Sequence, residues 1–315
     1  MNRSNGLMEK SLEDVRQVIL SGNCVAFIGS GLSCPPYPSW RKLVADLCNA
    51  CGVSVPFDED LNDARKLLAL ADDCKTKNKT SYYSKLYEIF GTPPVETRFI
   101  YRMLAKLSFC SYITSNYDPL LKSEKDHEQR NFGNIYALHS LPSHKLEDRS
   151  IYYIHGLIDQ SNRPQDGSVI LSASDFLQAY DGAENGLKRL LHEAYTYKSL
   201  CFFGCSIGEP QLRYVFEQAL RTRKEIESQY TGARAPDHFA IRPYAYRKDT
   251  ECHEAYERDY AAEQRENETF LELGIRVARY EPVNDKHSGL DREIAKWLEI
   301  TPQPIRSGFE PRELT

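Results

Sequence analysis

Apolar positions along this chain follow two periods, and their alternation predicts its architecture. Leu12, Val15, Val18 and Ile19 recur at helical spacing and stop at Gly22, which predicts an amphipathic helix closed by a left-handed cap. Val25 to Ile28 form a short continuous apolar run, the signature of a strand buried on both faces of a parallel sheet. Ser39 suits the N-cap of a helix striped by Trp40, Leu43, Val44, Leu47 and Cys51. From Leu61 to Leu107 every periodic segment is helical, with Pro94 opening the last, so a helical insertion is expected over about residues 40–108. Strand runs resume at Cys110–Thr114 and recur as "NIYAL", "SIYYIH", "SVILS", "SLCFFG", "HFAIRP" and "IRVARY". Strands alternating with helical stretches predict an α/β fold, a mostly parallel sheet with helices on both faces.

The length of 315 residues fits one large domain or a domain with a substantial insertion. Forty-five acids against 40 bases, without a dense Lys/Arg stripe, give no surface for a nucleic-acid backbone, so no direct nucleic-acid contact is expected. No window reaches the roughly 18 apolar residues of a membrane span, so no membrane partner is expected. Nine cysteines without regular pairing and a polar N-terminal segment predict free thiols and a cytoplasmic protein. The charged segment Thr250–Leu273 reads as a solvated surface helix, with an oligomer contact as the alternative. Residues 301–315 are Pro-punctuated and read as an extended C-terminal tail.

In an open α/β sheet ligands bind beyond the carboxyl ends of the strands, and here those positions are polar. After the first strand come Gly29, Ser30, Gly31 and Ser33, whose free N–H groups and hydroxyls suit an anionic diphosphate. A ligand-free strand-to-helix turn is the alternative. The third glycine of the dehydrogenase fingerprint is absent, which disfavours hydride transfer. "TSNYD" sets Asn116 and Asp118 beyond a buried strand, where the amide can orient a water or sugar hydroxyl, or where the segment simply closes a turn. His155, before Gly156, is a candidate general base, and His139 is its rival. The flanking glycine favours His155, because it would let a substrate approach the ring.

"GCSIG" matches the Gly-x-Ser-x-Gly of a nucleophile elbow. With Asp249 or Asp285 and His253 or His287 it opens a second reading, a serine hydrolase built on Ser206. Such a hydrolase leaves the Gly-Ser-Gly loop and the Asn116 cluster without a role. Cys48 and Cys51 form a single Cys-x-x-Cys on a predicted helix with no second pair at zinc spacing, so core packing and no metal are expected.

Taken together, "GSGLS", "YPSW", "TSNYD", "IHG" and "GCSI", in that order, resemble the sirtuin-like family of NAD-consuming proteins. The resemblance implies a Rossmann-like, NAD-binding domain over residues 1–300. By it, Gly29, Ser30, Gly31 and Ser33 would contact the NAD diphosphate, Asn116 with Asp118 beside it would position the ribose and the attacking water, and His155 would be the catalytic base. Gly204 and Ser206 would match a later nucleotide-contacting loop. Two departures from the family's deacylases stand out. No cysteine lies between His155 and Cys201, where their four-cysteine zinc module would begin, and "PPYPSWRKL" replaces their Pro-Asp-Phe-Arg segment. Both departures, with the helical insertion, resemble the bacterial sirtuin-like NADases of anti-phage defence. That likeness implies an NAD-depleting effector of abortive infection, working as a homo-oligomer or with a separate sensor or HerA-type ATPase partner. A non-catalytic NAD or ADP-ribose sensor is the remaining reading.

Overall fold

The computed structural model describes residues 11–55, 63–92, 94, 99–127, 132–142, 145–181, 186–230, 236–244, 253–282 and 288–298, with backbone alone at 125–127 and 253–259. The chain enters through α1 (Leu12–Leu20), which opens on a Ser11–Asp14 capping box, and turns at Gly22 with φ of 72°. Next come β1 (Cys24–Ile28), the short α2 (Ser30–Ser33) and the inserted helices α3 (Trp40–Cys51), α4 (Ala64–Lys77), α5 (Lys79–Phe90) and α6 (Phe99–Lys106). The second half alternates β2 (Ser111–Thr114), α7 (Leu120–His127), β3 (Ile135–Ala137), β4 (Ile151–Tyr153), α8 (Ala173–Tyr180), α9 (Gly186–Tyr197) and β5 (Ser199–Phe203). It closes with α10 (Pro210–Gln229), β6 (His238–Pro243), α11 (His253–Glu272), β7 (Ile275–Tyr280) and α12 (Ser288–Trp297).

The seven strands form one sheet in the order β3-β4-β2-β1-β5-β6-β7, and every pair is parallel. β1 is central and wholly buried, as its unbroken apolar run predicts. Its side chains divide by the two-residue period of a strand. Cys24, Ala26 and Ile28 join a core layer with α1, α3, α5, α6 and α12, whereas Val25 and Phe27 join a second layer with α8, α9 and α10. The result is a Rossmann-like α/β sandwich with helices on both faces and a helical insertion after the first strand. β2 lies on one side of β1 and β5 on the other, so the chain reverses its direction of travel at β1 and opens a crevice at the strand ends there.

One expected strand does not form. In the "SVILS" segment Val169, Ile170 and Leu171 are buried but join no ladder, because β4 already has β3 and β2 at its two edges. The run instead crosses the end of the sheet. Ile170 N–H donates to the His155 carbonyl (3.0 Å), and the Ile170 carbonyl accepts from the Tyr117 hydroxyl (2.6 Å).

The insertion is clasped to that same covering segment. Lys75 of α4 pairs with Asp175 of α8 (2.6 Å) and with Asp166 (2.9 Å), Lys79 of α5 pairs with Asp166 (2.6 Å), and Asp72 accepts from the Ser174 backbone N–H (3.1 Å). Burial pulls the Lys75 pKa down, but the hydrogen bonds to Asp175 and Asp166 outweigh it and hold the ammonium above its ordinary value. The Pro-punctuated tail and residues 283–287 lie outside the described residues.

Candidate functional site

The loops leaving β1 and β5 pack directly on each other, and this contact explains their glycines. A Cβ on Gly29 would stand 2.7 Å from the Gly204 carbonyl oxygen, one on Gly31 2.9 Å from it, and one on Gly204 2.4 Å from the Leu32 nitrogen. Gly204 also has φ of 65°. The two β1-loop amides are engaged within this contact, for Gly29 N–H donates to Phe203 O (2.9 Å) and Gly31 N–H to Gly204 O (3.0 Å). The expectation of free Gly29 and Gly31 amides for a diphosphate is therefore not met, because adjacent parallel strands continue their pairing past the sheet. Ser30 and Ser206 remain as the polar groups that these loops offer to the crevice.

A prediction follows from this packing. Gly204→Ala combines a left-handed φ with a hard clash and should cost about 2–4 kcal/mol. Gly22→Ala has the same φ sign and open space around the new Cβ, and should cost only about 1 kcal/mol. Urea midpoints of the two variants check the difference.

Behind the crevice Ser33 is a hub. Its hydroxyl donates to Asp118 Oδ2 (2.7 Å), so the Tyr101 hydroxyl (2.6 Å) and Asn116 Nδ2 (2.8 Å) must both donate to it. With its one hydrogen so engaged, Ser33 is placed to position Asn116 and has no donor left for a phosphate. The arrangement also orients the Asn116 amide. Nδ2 faces Ser33, and Oδ1 is buried with no hydrogen-bond partner among the described residues. Asp118 braces the network from the other side, accepting Leu120 N–H at the start of α7 (3.1 Å). Burial raises its pKa to about 6 against the lowering effect of the Ser33 hydrogen bond.

His155 sits just beyond β4, only 2% exposed, with Nε2 3.2 Å from the Tyr180 hydroxyl and its ring edge-on to Phe176 at 4.9 Å. Burial drives its pKa down to about 3, and a hydrogen bond to the Ser115 backbone opposes the shift, so the ring is neutral at pH 7. Gly156 has φ of 99°, and a Cβ there would meet Ser168 O at 2.3 Å. This glycine accommodates the covering segment rather than an approaching substrate. His139 is exposed in a 3-10 turn at Leu138–Ser140 and does not line the crevice.

The nine residues to which the sirtuin-like resemblance gave roles line one cavity of about 260 Å³ at the carboxyl ends of β1, β2, β4 and β5. The cavity also holds groups that sequence reasoning missed. Arg242 at the end of β6 donates to Cys205 O (3.4 Å) and pairs with Glu266, while its Nε is buried without a partner among the described residues. Glu209 lines the same side, its pKa raised by burial. Tyr37 and Trp40 also line the cavity. Arg242 ends an apolar strand run, the same positional signal that picked out Asn116 and His155. Tyr101 carries none, being one of several stripe residues on α6.

Ser206 is exposed in an irregular segment, and α10 starts only at Pro210, so the serine is not at the apex of a strand-to-helix turn. No hydrogen bond links it to a histidine among the described residues. Asp249, Asp285, His287 and the His253 side chain lie outside them. Cys48 and Cys51 are buried on α3, and the Cys48 sulfur lies 3.6 Å from that of Cys74 on α4.

A family model described as "SIR2-like domain" matches residues 111–265, from β2 through β6 into α11. This segment carries the Asn116, His155 and Ser206 loops. The crevice is completed by β1 and its glycine loop, which precede the matched segment in the chain. Three curated relatives are each named "NAD(+) hydrolase ThsA". The protein of Bacillus cereus (strain MSX-D12) is 23% identical over 221 residues, 69% of this chain and 44% of the relative. Those of Acinetobacter baumannii (strain 532279) and Enterococcus faecium are each 26% identical, over 62% and 63% of this chain and 39% and 40% of their own lengths. The chain thus spans less than half the length of these relatives. A solved structure titled "Structural Basis for the Mechanism and Regulation of Sir2 Enzymes" aligns over 91% of this chain and 96% of that chain at 12% identity, with a TM-score of 0.38.

Proposed function

We propose that this chain is a hydrolase of NAD that cleaves the nicotinamide–ribose bond to release nicotinamide and ADP-ribose. The observation that carries the reading is the convergence of an amide oxygen with no partner among the described residues, Asn116 Oδ1, and a neutral imidazole, His155, on one cavity at the crevice of the sheet. The names of the three relatives support the same chemistry. Nicotinamide departs as a neutral base from an oxocarbenium-like sugar, so no general acid is required.

The chain's task is to place and deprotonate the nucleophile. Asn116 Oδ1 accepts a hydrogen bond from water and orients it toward the sugar, while Ser33, Tyr101 and Asp118 hold the amide rigid. His155 takes a proton from that water or from a ribose hydroxyl. A ring of such low basicity accepts the proton late, once bonding to the cationic carbon has made the water strongly acidic. The Tyr180 hydroxyl neighbours Nε2 in the resting protein, and substrate must replace that contact. Ser30, Ser206 and the Arg242 guanidinium are the groups that would receive the diphosphate, and Gly29, Gly31 and Gly204 let the two loops approach closely enough to form its floor.

The finer reading is an NAD-depleting effector of anti-phage defence, cytoplasmic, acting as a homo-oligomer or under a separate sensor or ATPase partner, with residues 1–300 as one NAD-binding unit. It rests on the order of the strand-end motifs. Purified protein incubated with NAD, alone and with its neighbouring gene product, should release nicotinamide and ADP-ribose in equal amounts. NAD binding with no release under either condition would leave the non-catalytic sensor instead.

A further inference from the structure

Two side chains in the cavity carry a buried polar atom with no partner on the described residues and are each only 5% exposed: Asn116, already assigned, and Tyr37. The Tyr37 hydroxyl is a donor that nothing in the mechanism uses. Burial, with the charge of Asp118 nearby, raises its pKa and keeps the phenol protonated. Its ring stacks on Phe90 (5.3 Å, 28°), and Phe90 lies edge-on to Tyr117 (5.6 Å, 61°), so this end of the cavity has flat aromatic walls.

Arg242 stands at the β6 side, where the diphosphate would lie. That side also holds Glu209, whose carboxyl burial pushes toward its neutral form, whereas the acidic group beside Tyr37 is Asp118. An anion is disfavoured beside Asp118, and a flat cationic ring is favoured there. The inference rests on the NAD-hydrolase reading, which puts the pyridinium next to Asn116 and hence against these walls. We propose that Tyr37 is the residue that selects the leaving base, its hydroxyl donating a hydrogen bond to the carboxamide oxygen of the pyridine ring. It acts as a specificity determinant and is not required for the proton transfers.

The test pairs one side-chain atom with one substrate group. Wild type and Tyr37→Phe are each assayed for kcat/KM on NAD and on the dinucleotide whose pyridine lacks the carboxamide. The intrinsic difference between the two leaving groups is the same for both proteins and cancels in the comparison. Tyr37→Phe should lower kcat/KM on NAD about 5–10-fold and leave the analogue unchanged, the size expected of one neutral hydrogen bond. Its Tm should equal or exceed that of wild type, because a buried unpaired hydroxyl has been removed. Equal preference for NAD in the two proteins overturns the inference and leaves the hydrolase reading intact. A clear fall in Tm also overturns it, by showing that the hydroxyl has a protein partner. Wild type that neither binds nor cleaves NAD refutes the hydrolase reading and the inference with it.

Discussion

Asn116→Ala is expected to reduce NAD cleavage by about 10²–10³-fold while changing KM little, the size of effect seen when one preorganised polar group is lost from a reacting centre. The working atom is Oδ1, which is buried with no hydrogen-bond partner among the described residues while Nδ2 is tied to Ser33. Asn116→Asp should fail as well. It keeps an acceptor, but it puts a second carboxylate on Ser33 Oγ, whose single hydrogen already serves Asp118. Stability should fall by only about 1–2 kcal/mol in the alanine variant, since the Nδ2 hydrogen bond to Ser33 (2.8 Å) and the longer one to the Tyr101 hydroxyl (3.4 Å) are lost. Nicotinamide release and thermal unfolding, measured on the same preparations, separate the chemical loss from a folding defect. Turnover close to wild type in Asn116→Ala would remove the amide from the mechanism.

His155→Ala should lower turnover by about 10²–10⁴-fold, the usual contribution of a general base, and leave NAD binding measurable. The same ring makes the fold acid-sensitive. Its pKa is about 3 when folded, below its ordinary 6.5, so between these values the unfolded chain binds the extra proton. Stability is then fully present above about pH 6.5 and declines as the pH falls toward 3, by about 2 kcal/mol between pH 7 and pH 5. Asp118 acts in the opposite sense. Its folded pKa of about 6 exceeds the ordinary 3.8, so its contribution is lost as the pH rises through that window. His238, also buried and lowered, is common to both proteins and drops out of the comparison. Urea unfolding at pH 7 and pH 5 should therefore show a smaller pH-dependent loss for His155→Ala than for wild type. An equal loss in both would place the titrating group elsewhere.

Much of the fold was legible because helix and strand are local periodicities. Val25–Ile28 read as a fully buried strand and "SLCFFG" as a further strand, and the two are adjacent central strands, while the inserted stripes became α3 to α6. "SVILS" misled because an apolar run records burial alone. Whether it joins a sheet depends on a free edge beside it, and the edges of β4 were already taken. Glycine misled in a related way. Gly29, Gly31 and Gly156 were read as openings for a ligand, whereas in the structure each meets another part of the backbone, which no local pattern encodes. Arg242 was open to discovery by the rule that found Asn116, applied to one more strand end.

By itself the sequence determined the kinds of element, their order, and which strand ends carry polar chemistry, because these depend on neighbours a few positions apart. Only the tertiary structure decided that Ser33 positions an amide, that Tyr37 and Asn116 hold buried atoms with no partner among the described residues, and that His155 is a neutral, weakly basic ring. The reason is physical. Proton affinity and hydrogen-bond saturation are set by burial and by groups brought close from distant parts of the chain, as Ser33 meets Tyr101, Asn116 and Asp118 across 68 to 85 positions.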